Sequence, residues 1–443
     1  MLRETPARAR VLQLEALVQP PVRFGRVLRF DGAIAGVSGC RAASVGAACR
    51  IDTADGVGCT GEVIGFRDEE TVVALTGGSG RLAAGARVRV GASVDEVAVG
   101  DDLLGRVWDA DGLPLDGLPP LVPAAAVPLH RQPTNPLLRA EIHTPLDVGV
   151  RAINALLSLG RGQRIGLIAG SGVGKSMLLG MLCAGTQADV VIVGLIGERA
   201  REVSAFVESV IPAAARPRTA VVAVSADRSP ILRIRGANRV AAMAEYFRAQ
   251  GRHVLLLLDS LTRVGHAQRE IGLALGEQPT VKGYPPSVIA LVPRIVERAG
   301  SDRDSGGSIT AIYTLLADGD DIHDPVVDAA RAIMDGHIVL SRALAEQGVY
   351  PAIDVSASIS RVMQNVADKS HTQAAQLFRR RYALYHENKD LVMMGGYEAG
   401  RNPELDIALG TYPQLMDLVS QPVDEVCGWQ DSIARLKQVV GHG

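Results

Sequence analysis

The sequence predicts an α/β fold, a parallel-sheet domain preceded by a small N-terminal β-barrel and followed by a C-terminal helical domain. Three observations carry this expectation. Five short apolar runs between residues 164 and 317 alternate with longer segments of helical periodicity, the rhythm of βαβ units whose strands are covered on both faces. Ahead of them, from Gly25 to about Gly91, RVLRF, AIAGV, GEVIGF and TVVAL recur between Gly/Asp/Ser-rich punctuation with no long 3.6-residue period, as in a small barrel. Beyond about Ser370 the strand-like runs stop, and HTQAAQLFRRRYALYHENKDLVMMG reads as helix.

Taken in order, residues 1–20 place Val11, Leu14 and Val18 on one helical face and end at Pro20–Pro21, an amphipathic docking segment set apart from the barrel of residues 21–92. The central domain spans 93–369. It opens on a connector, 118–136, with six prolines from Pro119 to Pro136; proline restricts φ and removes a ladder donor, so this stretch is extended. Its predicted strands are RIGLIA (164–169), VVIVGLI (190–196), TAVVAVS (219–225), HVLLLLD (253–259) and SITAIYTLLA (308–317). Residues 370–443 form the helical domain.

Composition narrows the function classes. The 443 residues carry a formal charge of only -2, with 47% hydrophobic and 21% charged residues, so neither a polyanion-binding field nor a disordered chain is expected. Five cysteines are odd in number and lack metal-ligand spacing, and the nine histidines form no H-x-x-x-H pair. The apolar runs fall far short of the ~20 residues of a membrane span, and MLRETPARAR has no apolar signal core, so a cytoplasmic protein is expected.

The chemistry concentrates in AGSGVGKSMLLGMLC, where an apolar strand enters a Gly-rich turn and then a helix. This is the context of a Walker A phosphate loop, made of Ala169, Gly170, Ser171, Gly172, Val173, Gly174, Lys175 and Ser176. Backbone N–H groups from Gly170 to Lys175 face phosphate oxygens, Lys175 neutralises their charge, and Ser176 ligates Mg²⁺. Ala169 stands where the literal motif has glycine. Asp259, ending another apolar strand, is a candidate second Mg²⁺ group acting through water, although an aspartate there also suits a helix N-cap, a role Ser260 can share. Glu198 ends a third strand in VIVGLIGERARE. Spacing alone leaves two readings open for it: a carboxylate that polarises the attacking water, or the start of a surface helix paired with Arg199 and Arg201.

Longer motifs carry a resemblance. GLIGERAREVSAFVE, LLLLDSLTRVGHAQREIGLALGE, KGYPPSVIALVPRIVERAG, MDGHIVLSRALAEQGVYPAIDVSASISRVM and NKDLVMMGGYEAGRNPELDIAL resemble the flagellum-specific ATPases of the bacterial flagellar export apparatus, relatives of virulence type III secretion ATPases and of the catalytic subunits of rotary ATP synthases. The resemblance runs from about Gly25 to the C-terminus. It implies a RecA-like phosphate-loop domain between barrel and helical domain, and a homohexamer that hydrolyses ATP with Mg²⁺ at its interfaces. By position it implies that Glu198 orients the water, Asp259 is the Walker B acid, Arg199 and Arg263 support the active site, and Arg361 in SASISRVM is an arginine finger donated by the adjacent subunit. Ala200 replaces a glycine of the usual motif, and Val264–Gly265–His266 stand where an aromatic commonly follows the DSLTR arginine.

The implied partners are an export regulator or stator bound by residues 1–20, a stalk-like protein, the membrane export gate, chaperones and export substrates, with the ATPase peripheral to the inner-membrane apparatus. The loop 276–286 is expected near the hexamer's central channel. Three alternatives compete with this reading: a virulence-type secretion ATPase, a hexameric RNA translocase, and a non-catalytic nucleotide-binding subunit. Residues 1–92 hold 12 basic and 9 acidic residues with only Phe24, Phe30 and Phe66 as aromatics, a weak platform for stacking bases, so no nucleic-acid partner is expected. Arg379–Arg381 reads as a solvated helix face. Glu198 argues against the non-catalytic subunit, and NKDLVMMGGYEAGRNPELD with SASISR favours the flagellar member.

Overall fold

The computed structural model describes residues 23–40, 43–77, 82–93, 95–131, 135–316 and 324–441. The amphipathic segment before Pro20 lies outside them. Two compact units divide near residue 94.

The first unit is a closed antiparallel barrel of six strands, β1 (Arg23–Asp31), β2 (Ile34–Ser38), β3 (Ala47–Ile51), β4 (Cys59–Arg67), β5 (Glu70–Gly77) and β6 (Arg87–Ser93), in the order β1-β2-β5-β4-β3-β6. Period-two patterning builds it: on β6, Val88 and Val90 point into the core while Arg87 and Arg89 face out. Val27, Val37, Ile51, Val63 and Val73 complete the interior with Cys40, Cys49 and Cys59. All five cysteines of the chain are buried and free.

The second unit opens with β7 (Glu96–Val99), β8 (Val107–Trp108) and β9 (Ala125–Pro128); β9, within the proline-rich connector, pairs antiparallel with β7. A small pair, β10 (Pro145–Leu146) and β11 (Leu159–Gly160), flanks helix α1 (Arg151–Leu156). The main sheet then takes β12 (Arg164–Ala169), β13 (Val190–Ile196), β14 (Thr219–Val224), β15 (His253–Asp259), β16 (Gly300–Ser301), β17 (Ser308–Leu316), β18 (Gly336–Leu340) and β19 (Ile353–Ser360). Its order is β19-β18-β12-β17-β15-β13-β14-β8, with β16 on β17. The five predicted strands are present, each ending within a residue of its expected bound. The sheet is not wholly parallel: β16 and β19 run antiparallel to their neighbours. β19 alternates polar and apolar residues with a half-exposed face, so the apolar-run signal that marks the inner strands does not reveal it.

Helices α2 (Lys175–Gly185), α3 (Ala200–Ala205), α4 (Pro230–Ala249), α5 (Leu261–Ala274), α6 (Pro286–Val296), α7 (Pro325–Ile333), α8 (Arg342–Glu346) and α9 (Met363–Val366) accompany the sheet. The chain ends in α10 (Lys369–Met393), α11 (Pro403–Val419) and α12 (Trp429–Val440). These last helices share the core of the sheet unit: Ala374, Phe378, Leu415 and Leu436 pack into the same apolar cluster as Leu156, Leu167 and Ile353.

The arginine run on α10 departs from expectation. Arg380 is exposed and pairs with Glu404 at 2.7 Å, but Arg379 turns inward, its Nη1 donating to the carbonyl of Val355 at 2.5 Å and its Nη2 to that of Leu156 at 3.1 Å. A helix packed against the sheet unit leaves only part of its circumference to solvent, so three consecutive residues cannot all lie on the wet face. The loop after α5 is ordered by a bond from Thr280 N–H to the Tyr284 carbonyl at 2.9 Å, with Tyr284 buried and Val281 exposed.

Candidate active site

The parallel core aligns the C-terminal ends of β12, β15 and β13 along one sheet edge, the usual place for a ligand in an open α/β sheet. Ala169 closes β12, paired with Leu316 of β17. It is extended and its φ is not positive, which is why alanine serves where the motif has glycine. Gly172 and Gly174 have φ of 79° and 86°, a region that a side chain would strain. Gly174 precedes α2 with no side-chain cap, so the first amides of the helix remain directed at the loop, an anion-binding geometry.

Lys175 begins α2 and reaches across the edge. Its Nζ lies 2.5 Å from Asp259 Oδ1 and 3.2 Å from Glu198 Oε1. Asp259 is 2% exposed and also accepts a bond from Thr314 Oγ1 of β17 at 2.7 Å. The N-cap of α5 is Ser260, whose hydroxyl accepts from Arg263 N–H at 3.3 Å. That leaves the Asp259 carboxylate to Lys175 and Thr314. Burial pushes the Asp259 carboxyl up and Glu198 adds to this, against the opposing pull of Lys175 and Thr314. Burial works against the Lys175 ammonium, but Asp259 and Glu198 outweigh it and its pKa is raised. The lysine is therefore held as a cation between two acids.

Glu198 follows Gly197, whose φ is 78° and whose missing Cβ would stand 2.7 Å from Arg263 Cβ. Only glycine allows β13 to turn here so close to α5. A cleft of about 680 Å³ gathers the phosphate loop, Glu198, Arg199, Asp259 and Arg263. Arg199 is the outlying member, its side chain 70% exposed and 3.8 Å from Glu202. Arg263 lines the cleft with a buried Nε that has no hydrogen-bond partner among the described residues. Among the described residues no group of three or more His, Cys, Asp or Glu forms a metal cluster. Ser176 and Asp259 nevertheless line one cleft, and two oxygen donors suit Mg²⁺, which keeps several waters and shares its coordination with substrate phosphates.

Arg361 lies elsewhere. β19 pairs Ile353 with Leu340 at the phosphate-loop edge and Ser360 with Gly336 at the opposite one. Arg361 therefore emerges, exposed, at the edge away from Lys175 of its own chain, its N–H donating to the Asp335 carbonyl at 2.9 Å. Two residues of the site were not foreseen. Thr314 is a buried hydroxyl inside an apolar run, which is itself a signal. Tyr350 lies with its ring against the loop, two ring carbons 3.1 and 3.2 Å from where a Gly174 Cβ would be; a tyrosine 176 positions further along the chain carries no such signal.

Residues 149–360 match the ATP synthase alpha/beta family nucleotide-binding domain, and residues 367–438 the T3SS EscN ATPase C-terminal domain. The chain is 46% identical to the flagellum-specific ATP synthase of Pseudomonas aeruginosa over 97% of its length and 95% of that protein's. It belongs to the flagellar and type III secretion ATPases. The corresponding protein of Salmonella typhimurium is 48% identical to this ATPase, covering 95% of it and 94% of the relative. The assembled ATPase EscN from the enteropathogenic E. coli type III secretion system superposes with a TM-score of 0.89 at 38% identity, over 94% of this ATPase and all of EscN; EscN in complex with its central stalk EscO gives 0.85 at 37%.

Proposed function

We propose that this ATPase is the motor of flagellar type III protein export, hydrolysing Mg·ATP at the interfaces of a homohexamer to promote delivery and unfolding of export substrates. The observation that carries the reading is Lys175 held between Asp259 and Glu198 at the mouth of a glycine-lined loop. On ATP binding, Lys175 serves the phosphate oxygens, while Ser176 and, through water, Asp259 would hold Mg²⁺, which neutralises charge on the transferring phosphoryl group. Glu198 orients the attacking water, with Arg199 and Arg263 beside the phosphates. Arg361, exposed at the far sheet edge, acts in trans on a neighbouring copy.

The assembled state of EscN and its complex with EscO support a ring of copies and a stalk-like partner for this chain. No described helix is long and apolar enough to cross a membrane, and the ATPase is proposed to work in the cytoplasm, peripheral to the inner-membrane export gate, with a regulator on residues 1–20. The division into docking segment 1–20, barrel 21–92, RecA-like domain 93–369 and helical domain 370–443 is part of this proposal. The second reading, a virulence-type secretion ATPase, is favoured by the likeness to EscN. Expression in strains lacking either the flagellar or the virulence ATPase separates the two. Restored motility without restored effector secretion supports the flagellar assignment, and the reverse overturns it.

A further inference from the structure

Helix α2, which presents the phosphate loop, is held at both ends by segments that meet at one buried residue, Gln421, one through its main chain and the other through its side chain. This residue follows α11 by two positions and is 3% exposed. Its N–H donates to the Tyr350 carbonyl at 2.8 Å. Its Nε2 donates to the carbonyls of Gly149 and Glu425, each at 2.8 Å, and its Oε1 accepts from Arg151 N–H at 2.7 Å. Tyr350 lies against Gly174 at the N-terminus of α2. Gly149 abuts the C-terminus, where a Cβ would come within 2.5 Å of Gly185 Cα. Arg151 in turn donates to the carbonyls of Asp417 and Ser420 at 3.0 and 3.1 Å, at the end of α11 where a cation is favoured.

A filler residue would not need this chemistry. The amide uses two donations and one acceptance at once, and an apolar isostere would strip the Glu425 carbonyl and the Arg151 N–H of these partners and leave the Gly149 carbonyl to the Cys427 N–H alone, at 2.9 Å. We propose that Gln421 is a positioning residue for the nucleotide site: its side-chain amide anchors the segment to Gly149 and Arg151, and the main-chain N–H so placed holds Tyr350 against the phosphate loop, which ties nucleotide affinity to the packing of the C-terminal helices. The proposal rests on the reading of the cleft as the ATP site.

The test uses the full chain and measures ADP affinity by calorimetry together with ATP turnover. Gln421→Leu is expected to weaken ADP binding about tenfold, the scale of one lost buried hydrogen bond, and to raise KM, while kcat at saturating ATP stays within about threefold. In a Tyr350→Ala background the same substitution adds little, because the main-chain tie from residue 421 then positions no ring against the phosphate loop. Unchanged ADP affinity, a fall in kcat at constant KM, or losses that multiply in the double variant would each overturn the role. If Gln421→Leu does not fold, Gln421→Glu keeps the acceptor for Arg151, removes both donations, and is read the same way. Lys175→Ala run in parallel separates the two ideas. If it leaves nucleotide binding and hydrolysis intact, the ATP-site reading falls; if it is inactive while the Gln421 variants are unchanged, only the positioning role does.

Discussion

Lys175 Nζ lies 2.5 Å from Asp259 Oδ1 although the two residues are 84 positions apart, and the pair bridges the start of α2 to the end of β15 beneath the phosphate loop. Removing one partner of a buried ion pair leaves a charge uncompensated, at a cost of about 3–5 kcal/mol unless the survivor neutralises.

Lys175→Ala therefore loses both functions of the ammonium. Hydrolysis should fall by at least about a hundredfold, the scale of losing one electrostatic stabiliser of a transition state. Steady-state ATPase assays check this, and near-normal turnover would contradict the phosphate-loop assignment.

Glu198→Gln keeps the size of the side chain and removes its basicity. ATP binding is expected to persist while hydrolysis drops by about 10²–10⁴. Parallel nucleotide binding and turnover measurements decide the matter; a joint loss of both would make Glu198 a structural residue.

Gly197→Ala should harm the site without touching its chemistry. The new Cβ would sit 2.7 Å from Arg263 Cβ on a backbone at φ 78°, so β13 or α5 must shift. The expected cost is about 1–3 kcal/mol, read as a lower unfolding midpoint together with reduced turnover. Unaltered thermal unfolding would show that the turn relaxes freely.

Arg361 is expected to work only between copies, since it emerges at the sheet edge opposite its own Lys175. Arg361→Ala should bind ATP nearly normally and lose about 10³–10⁵ in rate. In verified mixed hexamers with Lys175→Ala, some interfaces join an intact loop to an intact finger, and part of the activity returns. No rescue would remove Arg361 from a shared site.

Acid stability should report His253. Burial, with Arg161 adding repulsion, lowers its pKa from 6.5 to about 4; its Nδ1 meets Ser308 Oγ at 2.5 Å and its Nε2 has no partner among the described residues. The unfolded chain therefore takes up this proton before the folded one. The stability is fully present above pH 6.5 and is lost as pH falls toward 4, by about 3 kcal/mol at 1.36 kcal/mol per pH unit. Denaturant unfolding between pH 7 and 4 should show this slope, and His253→Asn should flatten it.

The inner strands and the phosphate loop were legible in the sequence because their causes are local. A strand buried on both faces must be apolar throughout, as Val190–Ile196 and His253–Asp259 largely are, and a loop that wraps phosphate must place glycine at positive φ, as at Gly172 and Gly174. The candidate carboxylates Glu198 and Asp259 were legible as strand-ending residues, yet not their roles. Strand order brings β13, β15 and β12 to one edge, and only that order makes Lys175 the common partner of both acids and leaves the helix cap to Ser260. Tyr350, Thr314 and Gln421 reach the site through loops and pairings whose partners are distant in the chain. The half-exposed, antiparallel β19 sends Arg361 to the other edge of the sheet, and packing turns Arg379 inward while its neighbour Arg380 stays wet. Periodicity records how deeply each residue is buried; which buried groups meet depends on the order in which the strands assemble, and no local pattern encodes that order.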